Sequence, residues 1–219
     1  LAQPSEGRRS TPVPNLANQP LTGAYFEGIL IPSVRRRGEH VVGVLIGFDE
    51  FDGMFESLQR SAFRLETRRR YRSDEQTETY RRFAAGQAPG WDLDDPWCRS
   101  RREQAALGKR FERVRIMDNP PTLGQRYLLD NAERNGAVGE DIRYLWRADA
   151  DRLSLPNEDT WLFDSRVIAL LRFDADDDLI GVELINDPVQ VARACQARDS
   201  AWRFATPHRE FSAGVPSDQ

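Results

Sequence analysis

The sequence is poor in cysteine, in lysine and in long apolar runs. Cys98 and Cys195 are its only cysteines and lie far apart, which argues against a disulfide framework and against a paired-cysteine zinc site. Lys109 is the single lysine among 31 basic residues, which leaves 30 arginines. This bias is typical of a GC-rich coding sequence, and anion binding by guanidinium groups is its functional alternative. No apolar run reaches the ~18 residues of a membrane helix, and no secretion signal is present, so we expect a cytoplasmic protein.

The sequence also lacks the common motifs of nucleotide binding and hydrolysis. It contains no G-x-x-x-x-G-K-[ST] loop, no G-x-G-x-x-G fingerprint and no G-x-S-x-G elbow. The acidic run 174–178 lacks the glycine and the distal glutamate of a calcium-binding loop, so we interpret it as a solvated hairpin turn. We therefore expect no catalytic residue, no metal site and no cofactor.

Charge and composition indicate a globular protein with a polar surface. Hydrophobic residues make up 39% of the chain, charged residues make up 30%, and the formal net charge is −4. This acidic balance argues against direct binding to nucleic acid, which attracts basic surfaces. Local contact through the arginine turn 35–37 and through a strand with Arg113 and Arg115 stays open as an alternative.

Composition divides the chain into one folded domain with flanking segments. Residues 1–20 are rich in proline, serine, asparagine and glutamine, so we predict a disordered tail. Residues 21–48 form an N-terminal extension in which 25–31 and 41–48 have the pattern of a hairpin around the turn 33–39. Residues 49–211 are predicted to form a single α/β domain, followed by a polar tail over 212–219.

Helix and strand patterns intermix within the domain, which predicts a mixed α/β or α+β fold with a central mixed sheet flanked by helices. The closing unit, 158–207, has the clearest pattern. It predicts strands at 161–163, 167–173 and 179–185, and a helix from 187 to 204. Upstream, the patterns predict helices at 49–60, 73–86, 96–107 and 122–134, strands within 61–71 and at 110–117 and 142–146, and a polar connection over 148–158.

The closing unit resembles the second half of a phospholipase D-like domain. Its W-L-F-D-S-R-V-I-A-L segment is followed by a strand and by a helix that ends in W-R-F-A-T-P. It is most similar to the degenerate versions of this domain that bacterial regulators use as sensors. The resemblance implies a phospholipase D-like scaffold. The positions that carry it are Asp164, Arg166, Trp202, Ala205 and Pro207.

The nucleophile motif of the phospholipase D reaction is absent from this sequence. That reaction needs a histidine followed two positions later by a lysine, and it needs this pair twice. Here His40 is followed by Val42 and His208 by Glu210. Without the nucleophile, covalent phosphodiester transfer of that type is excluded, while the scaffold can still bind a ligand.

A wider resemblance covers 51–207 and is to a family of actinobacterial proteins of unknown function, often encoded near helix-turn-helix regulators. The segments A-F-R-L-E-T-R, R-V-R-I and G-E-D-I-R carry it. It implies a helix-turn-helix regulator protein as partner. Relatives have Y-L-R-F-E-L where this chain has G-Q-R-Y-L-L at 124–129, which loses a tyrosine and a glutamate.

These segments supply the candidate ligand-binding residues. We predict a pocket for an anionic or phosphate-bearing small molecule, held by bidentate hydrogen bonds from arginines. A salt-bridge network between elements is the structural alternative for the same side chains. The predicted residues are Arg64, Glu66, Arg115, Arg126, Arg143, Asp164 and Arg166.

The sequence therefore favours a non-catalytic regulatory or ligand-sensing domain that acts with a helix-turn-helix transcriptional regulator. The alternative is an enzyme that uses carboxylates and arginines, such as a metal-assisted hydrolase or transferase. Its candidate acids are Glu66, Glu140, Asp141 and Asp164, and a pair of them with shifted pKa values in one pocket would favour it.

Overall fold

One mixed β-sheet organises residues 43–215, the part of the chain that this computed structural model describes. Its eight strands, numbered along the described chain, are β1 (Val44–Ile46), β2 (Ser61–Glu66), β3 (Arg110–Met117), β4 (Glu140–Trp146), β5 (Thr160–Phe163), β6 (Val167–Phe173), β7 (Leu179–Ile185) and β8 (Thr206–Pro207). They lie side by side in the order β1-β7-β6-β5-β2-β3-β4-β8. β2, β3 and β4 are parallel to one another, whereas the other neighbouring pairs are antiparallel.

Eight helices of the described chain accompany the sheet. They are α1 (Phe48–Ser57), α2 (Arg72–Glu75), α3 (Glu78–Ala84), α4 (Pro96–Ala106), α5 (Leu123–Ala137), α6 (Arg147–Arg152), α7 (Pro188–Phe204) and α8 (His208–Gly214). Parallel strands need crossover connections, and here α2, α3 and α4 join β2 to β3, while α5 joins β3 to β4. None of the helices between residues 43 and 215 is long and apolar enough to cross a membrane.

The two faces of the sheet carry separate apolar cores, because side chains alternate along each strand. On the front face, Ala62 and Trp161 belong to a cluster that includes residues of α1 and α4. On the back face, Phe63 and Leu162 belong to a cluster that includes residues of α6 and α7. A mixed sheet with helices on both faces confirms the fold class predicted from the sequence.

Several predicted elements have the predicted bounds. β6 and β7 span the residues expected from their alternation. α7 begins directly after Asp187, whose side chain accepts a hydrogen bond from the backbone N–H of Gln190. α5 begins after Thr122, which forms a capping box with Gln125. The predicted end of α5 at Arg134 is wrong, because the helix continues through Asn135 and Gly136 to Ala137. For β6, β7 and α7 local signals were sufficient, because the cap, the apolar pattern and the stop lie within or directly beside the element.

Other elements differ from the prediction. The helix expected at 73–86 is two helices, α2 and α3, because Thr77 and not Ser73 caps the longer one through the backbone N–H of Tyr80. α6 lies in the segment predicted to be a polar connection, and α8 extends into the predicted C-terminal tail. The strand expected at 41–48 is confined to β1, which pairs with β7. The predictions for residues 1–42 lie outside the described residues.

Phe55 of α1 is the centre of the front-face core. Its ring meets Trp161 and Phe163 of β5 edge-on, with centroid distances of 4.9 Å and 5.0 Å. It also meets Trp97 of α4 edge-on at 5.5 Å. The guanidinium of Arg101 lies 4.6 Å from the centroid of the Phe55 ring. Phe55 therefore joins α1 and α4 to the sheet through ring contacts. Each contact stabilises the core beyond the effect of burying apolar area.

Replacing Phe55 with alanine is expected to lower the free energy of unfolding by about 3–5 kcal/mol, because it removes buried contacts and leaves a cavity. The matched control is Phe204→Ala, since Phe204 is 58% exposed. The control is expected to stay within about 0.5 kcal/mol of the wild type. Urea unfolding followed by tryptophan fluorescence measures both values, and equal losses for the two variants would contradict this account of the core.

Candidate functional site: a buried charge network and a separate groove

Strand pairing brings three of the predicted ligand-binding residues together. In the parallel pair of β2 and β3, Arg64 lies beside Arg113, and Glu66 lies beside Arg115. Because side chains alternate along a strand, all four point to the front face. Each of the four is at most 2% exposed. Sequence alternation predicts their common face, whereas their burial depends on the helices that cover that face.

Glu66 contacts three arginines. Arg113 Nη1 donates a hydrogen bond to Glu66 Oε1 at 2.5 Å, and Arg115 Nε donates to Glu66 Oε2. Arg64 Nε lies 2.9 Å from Glu66 Oε1. Burial by itself raises the pKa of the Glu66 carboxyl, but the three guanidinium groups outweigh burial and hold that pKa well below its usual range. Glu66 is therefore ionised at physiological pH.

Asp159 is a second buried carboxylate, which the sequence prediction missed. Its Oδ2 accepts hydrogen bonds from the Tyr71 hydroxyl and, at 3.2 Å, from Arg64 Nη2. Its Oδ1 accepts from the backbone N–H of Thr67 at 2.7 Å. Burial and the negative charge of Asp159 raise the pKa of Tyr71, so the phenol stays protonated and donates. Its position two residues before Trp161 places Asp159 on the same side of the chain as that residue. Only the pairing of β5 with β2 shows that this side brings Asp159 to Arg64.

Glu140 completes the charge balance. Arg113 Nη2 lies 3.0 Å from Glu140 Oε2, which also accepts a hydrogen bond from Asn135 Nδ2 at 3.3 Å. Three arginines and three carboxylates therefore meet in the interior, and their formal charges sum to zero. We call these six residues the buried charge network: Arg64, Glu66, Arg113, Arg115, Glu140 and Asp159.

The side of β3 that carries Arg113 and Arg115 is not exposed to solvent. Arg113 and Arg115 were predicted to form a basic strand face, but α5 covers them, and Arg115 Nη1 donates to the backbone carbonyl of Leu128 in that helix. Both guanidinium groups are bound by carboxylates of the buried charge network. Neither arginine is accessible to a nucleic acid, so this strand does not supply the contact that was left open as an alternative.

Arg143 lies on the back face, away from the buried charge network. Glu140 and Arg143 are three residues apart on β4, so the alternation turns them to opposite faces. Arg143 Nη2 lies 3.2 Å from Asp141 Oδ2, and its guanidinium lies 3.8 Å from the ring centroid of Trp202. This cation–π contact fastens α7 to β4.

Asp164 and Arg166 lie in the turn between β5 and β6. The Asp164 carboxylate accepts hydrogen bonds from the backbone N–H groups of Gln59, Arg60 and Ser61 at 2.8, 2.7 and 3.0 Å. Partial burial raises the pKa of Asp164, but these three donors outweigh it and lower that pKa overall. Asp164 thus fastens the turn to the start of β2, while Arg166 is exposed.

Arg126 lines an open groove between α3, α5 and α8, with a volume of 510 Å³. His208, the first residue of α8, also lines this groove and was not among the predicted site residues. Its sequence signal was weak, because the polar segment after Pro207 had no clear helical pattern. The groove has apolar walls from Phe83, Ala84, Leu123, Leu129 and Val215, and polar groups from Arg126, Asp130, Glu133, His208 and Ser212.

The seven predicted residues thus occupy four places. Arg64, Glu66 and Arg115 belong to the buried charge network, and Arg126 lines the groove. The other three lie on the back face and in the β5–β6 turn. α5 contacts both the network and the groove, since Leu128 accepts a hydrogen bond from Arg115 of the network and Arg126 lines the groove.

The acidic turn between β6 and β7, predicted to be solvated, is bound by arginines that follow β2. Asp177 forms ion pairs with Arg68 and, at 2.8 Å, with Arg70. Asp178 lies 3.3 Å from Arg72. The turn is therefore part of an ion-pair contact between two loops. Across residues 43–215, no group of three or more histidine, cysteine, aspartate or glutamate side chains is arranged to hold a metal ion.

Replacing Glu66 with glutamine is expected to destabilise the domain by about 3–5 kcal/mol, because three buried guanidinium groups lose their shared anion. The stabilisation from Glu66 is complete above the pKa of an unfolded glutamate, ~4.3, and is lost as the pH falls through the lower folded pKa. The variant should therefore lose less stability than the wild type below about pH 4.3. Urea unfolding at neutral and acid pH measures both effects.

The matched control is Glu78→Gln. Glu78 lies on the surface of α3 and pairs with Arg81 at 3.1 Å, with both side chains about two-thirds exposed. Its loss is expected to change stability by less than about 0.5 kcal/mol. A Glu66 variant as stable as this control would show that the buried charge network does not hold the sheet together.

Comparison with solved structures finds distant similarity. The chain is similar to Nuc, a phospholipase D family member from Salmonella typhimurium, with a TM-score of 0.44 and 9% identity over 71% of this chain and 86% of that one. It is similar to NucT from Helicobacter pylori, with a TM-score of 0.44 and 9% identity over 76% of this chain and 97% of that one. Similarity at this level transfers no residue role and no activity to this chain.

A third similar structure is TrmBL2, an archaeal chromatin protein, with a TM-score of 0.37 and 13% identity over 72% of this chain and 49% of that one. No curated protein sequence matches the chain. The family described as a domain of unknown function, DUF6879, matches residues 49–213. This match contains the whole stretch, 51–207, that carried the wider resemblance in the sequence. The chain therefore belongs to the DUF6879 family.

Proposed function

We propose that this chain is a non-catalytic regulatory domain that binds its ligand or partner in the groove between α3, α5 and α8, and that it acts with a helix-turn-helix transcriptional regulator. One observation carries the proposal. The acids and arginines best suited to chemistry bind one another in the interior as the buried charge network. General acid–base catalysis needs a group whose pKa lies near the working pH, and the pKa of Glu66 lies far below it.

The enzyme alternative has less support in the geometry. Of its four candidate acids, Glu66 and Glu140 share Arg113 in the interior. Asp141 is exposed on the back face, and Asp164 accepts three backbone hydrogen bonds at the start of β2. A hydrolase needs two acids, or an acid and a metal, converging on one substrate. These four acids do not share a cleft, which favours binding over catalysis.

The groove is open to solvent and has both apolar and charged side chains along it. Its volume of 510 Å³ lies within the range of roughly 300–1,000 Å³ typical of ligand pockets. Leu123 is 49% exposed at its rim, and Arg126 lies one helical turn further along α5. An apolar wall with a few charged groups at its edge suits an amphipathic ligand or a side chain of a partner protein.

A regulator partner accounts for how such a domain would act on transcription. The net charge of the chain is −4, and Arg113 and Arg115 are buried, so DNA contact is assigned to the partner. The family resemblance over 51–207 supports a helix-turn-helix protein in this role. In this proposal, occupation of the groove changes the contact between the domain and the regulator.

Leu123→Asp is expected to weaken binding to a helix-turn-helix regulator encoded near this gene by at least about tenfold, because a charge at the groove rim must be desolvated on binding. Isothermal titration with purified proteins measures the affinity. The matched control is Leu107→Asp, since Leu107 is 72% exposed at the end of α4 and lies outside the groove. The control is expected to bind as the wild type does.

Two results would contradict the proposal. If the wild-type chain binds no regulator from its genomic neighbourhood and no small molecule in the groove, the regulatory function is wrong. If purified chain hydrolyses a phosphodiester or ester substrate and Glu140→Gln abolishes the activity without unfolding the domain, the enzyme alternative is correct.

A further inference from the structure

Arg101 of α4 is a buried cation that forms no ion pair within the described chain. It is 2% exposed, and neither its Nε nor its Nη1 has a hydrogen-bond partner. Only Nη2 donates, to Ser100 Oγ at 3.2 Å. The other buried arginines of residues 43–215 each contact a carboxylate; they are Arg64, Arg113, Arg115 and Arg134. Burial lowers the pKa of Arg101 to about 10, so its guanidinium is still charged at neutral pH.

Three aromatic rings surround the Arg101 guanidinium. Its central carbon lies 4.3 Å from the ring centroids of Trp97 and Phe111 and 4.6 Å from that of Phe55. Ring faces attract a cation, and this attraction is stronger away from water. A ring face has no lone pair, however, so it is a poor acceptor for the N–H groups. The rings therefore offset part of the cost of burying the charge and leave Nε and Nη1 unsatisfied.

Trp97 supplies a further unpartnered donor in the same part of the core. It lies four residues before Arg101 on α4, so the two side chains are neighbours on one side of the helix. Trp97 is 5% exposed, and its indole Nε1 has no hydrogen-bond partner within the described chain. An indole N–H and a guanidinium only donate, so only a hydrogen-bond acceptor can satisfy these three nitrogen atoms.

The buried carboxylate on the adjacent strand is already bound. Glu140 of β4 lies beside Phe111 in the register, on the same side of the sheet. Its carboxylate lies 3.0 Å from Arg113 Nη2 and accepts a hydrogen bond from Asn135 Nδ2 at 3.3 Å. The acids that attract the charge of Arg101 at longer range, without a hydrogen bond to it, are Glu140, Asp52 and Glu56. No acid of the described chain therefore satisfies the donors of Arg101.

We propose that a small monovalent anion, such as chloride, binds in the front-face core beside Arg101 and Trp97 and accepts their unpartnered hydrogen bonds. The anion balances the positive charge of Arg101, which the neutral buried charge network does not. A single-atom anion suits these donors because it accepts from any direction, whereas a carboxylate or phosphate brings further oxygens that need donors of their own. Neither residue lines the groove, so this site goes beyond the function proposed above and is independent of it.

Chloride is expected to stabilise the folded chain, because Arg101, Trp97 and the surrounding rings come together only on folding. The equilibrium constant of unfolding should fall by a factor of one plus the ratio of the chloride concentration to its Kd, which is about elevenfold at ten times Kd. Sodium gluconate at the same ionic strength is the reference, because it gives the same screening and is too large for a buried site. Urea unfolding of the full chain, followed by tryptophan fluorescence, measures the difference between the two salts.

Two variants remove the donors separately. Arg101→Met removes the charge but keeps an unbranched side chain, and it is expected to abolish the difference between chloride and gluconate. Trp97→Phe keeps a ring but removes the N–H donor, and it is expected to weaken chloride binding by at least about tenfold. This second variant decides the question if Arg101→Met fails to fold. The matched control is Arg102→Met, since Arg102 is exposed on the same helix, and it should keep the wild-type response to chloride.

Bromide reports the position of the anion, because it resembles chloride chemically and scatters X-rays anomalously. Crystals of the wild-type chain grown in sodium bromide are expected to show an anomalous peak between the Arg101 guanidinium and the Trp97 indole N–H. Crystals of Arg101→Met are expected to lack this peak.

Two results would overturn the proposal. If the wild type is equally stable in chloride and gluconate from about 10 mM to about 1 M, the three rings alone accommodate the cation and no anion is bound. If Trp97→Phe keeps the full chloride effect, or if bromide peaks lie only elsewhere, the anion does not bind at Arg101. Neither result bears on regulator binding in the groove, which Leu123→Asp tests.

Discussion

The interaction on which the rest of the structure depends is the contact of Glu66 with the arginines of β2 and β3. These two strands are at the centre of the sheet, between β5 and β4. A slip of one residue in β2 would turn Glu66 towards the back-face core of Phe63 and Leu65, where it would have no cation. The ion pairs therefore hold β2 and β3 in the register that places Glu66 on the front face, where helices cover it. Asp159 and Glu140 extend the same constraint to the neighbouring strands.

This internal pairing also limits where function can lie. The buried charge network, with three cations and three anions, has no net formal charge of its own. Around the groove, α5 and α8 supply charged groups that face open space. Of the groove residues, His208 reaches the buried side of the sheet, since its Nδ1 lies 3.3 Å from the hydroxyl of Tyr144 in β4.

Local patterns predicted the regular elements well and the short ones poorly. β6, β7 and α7 carry their caps, alternation and stops within their own sequence, so their bounds were readable. α6 and α8 have 6 and 7 residues, too few for a helix to form by its own propensity. α8 packs against β4 and α6 packs against β3 as well as β4, so each is stabilised by residues distant in the sequence. The split between α2 and α3 depends on Thr77 as a cap, which competed with Ser73 in the sequence pattern.

The sequence by itself determined strands β2 to β7, that Arg64 and Glu66 share one side of β2 and the two arginines one side of β3, and that the histidine–lysine chemistry of phospholipase D is absent. The tertiary structure decided that this side is interior and that Asp159 is the partner of Arg64. It also decided that Arg126 and His208 line one groove. The physical reason is that alternation fixes the direction of a side chain locally, whereas burial and the choice of an ionic partner depend on which distant strand or helix lies against that side.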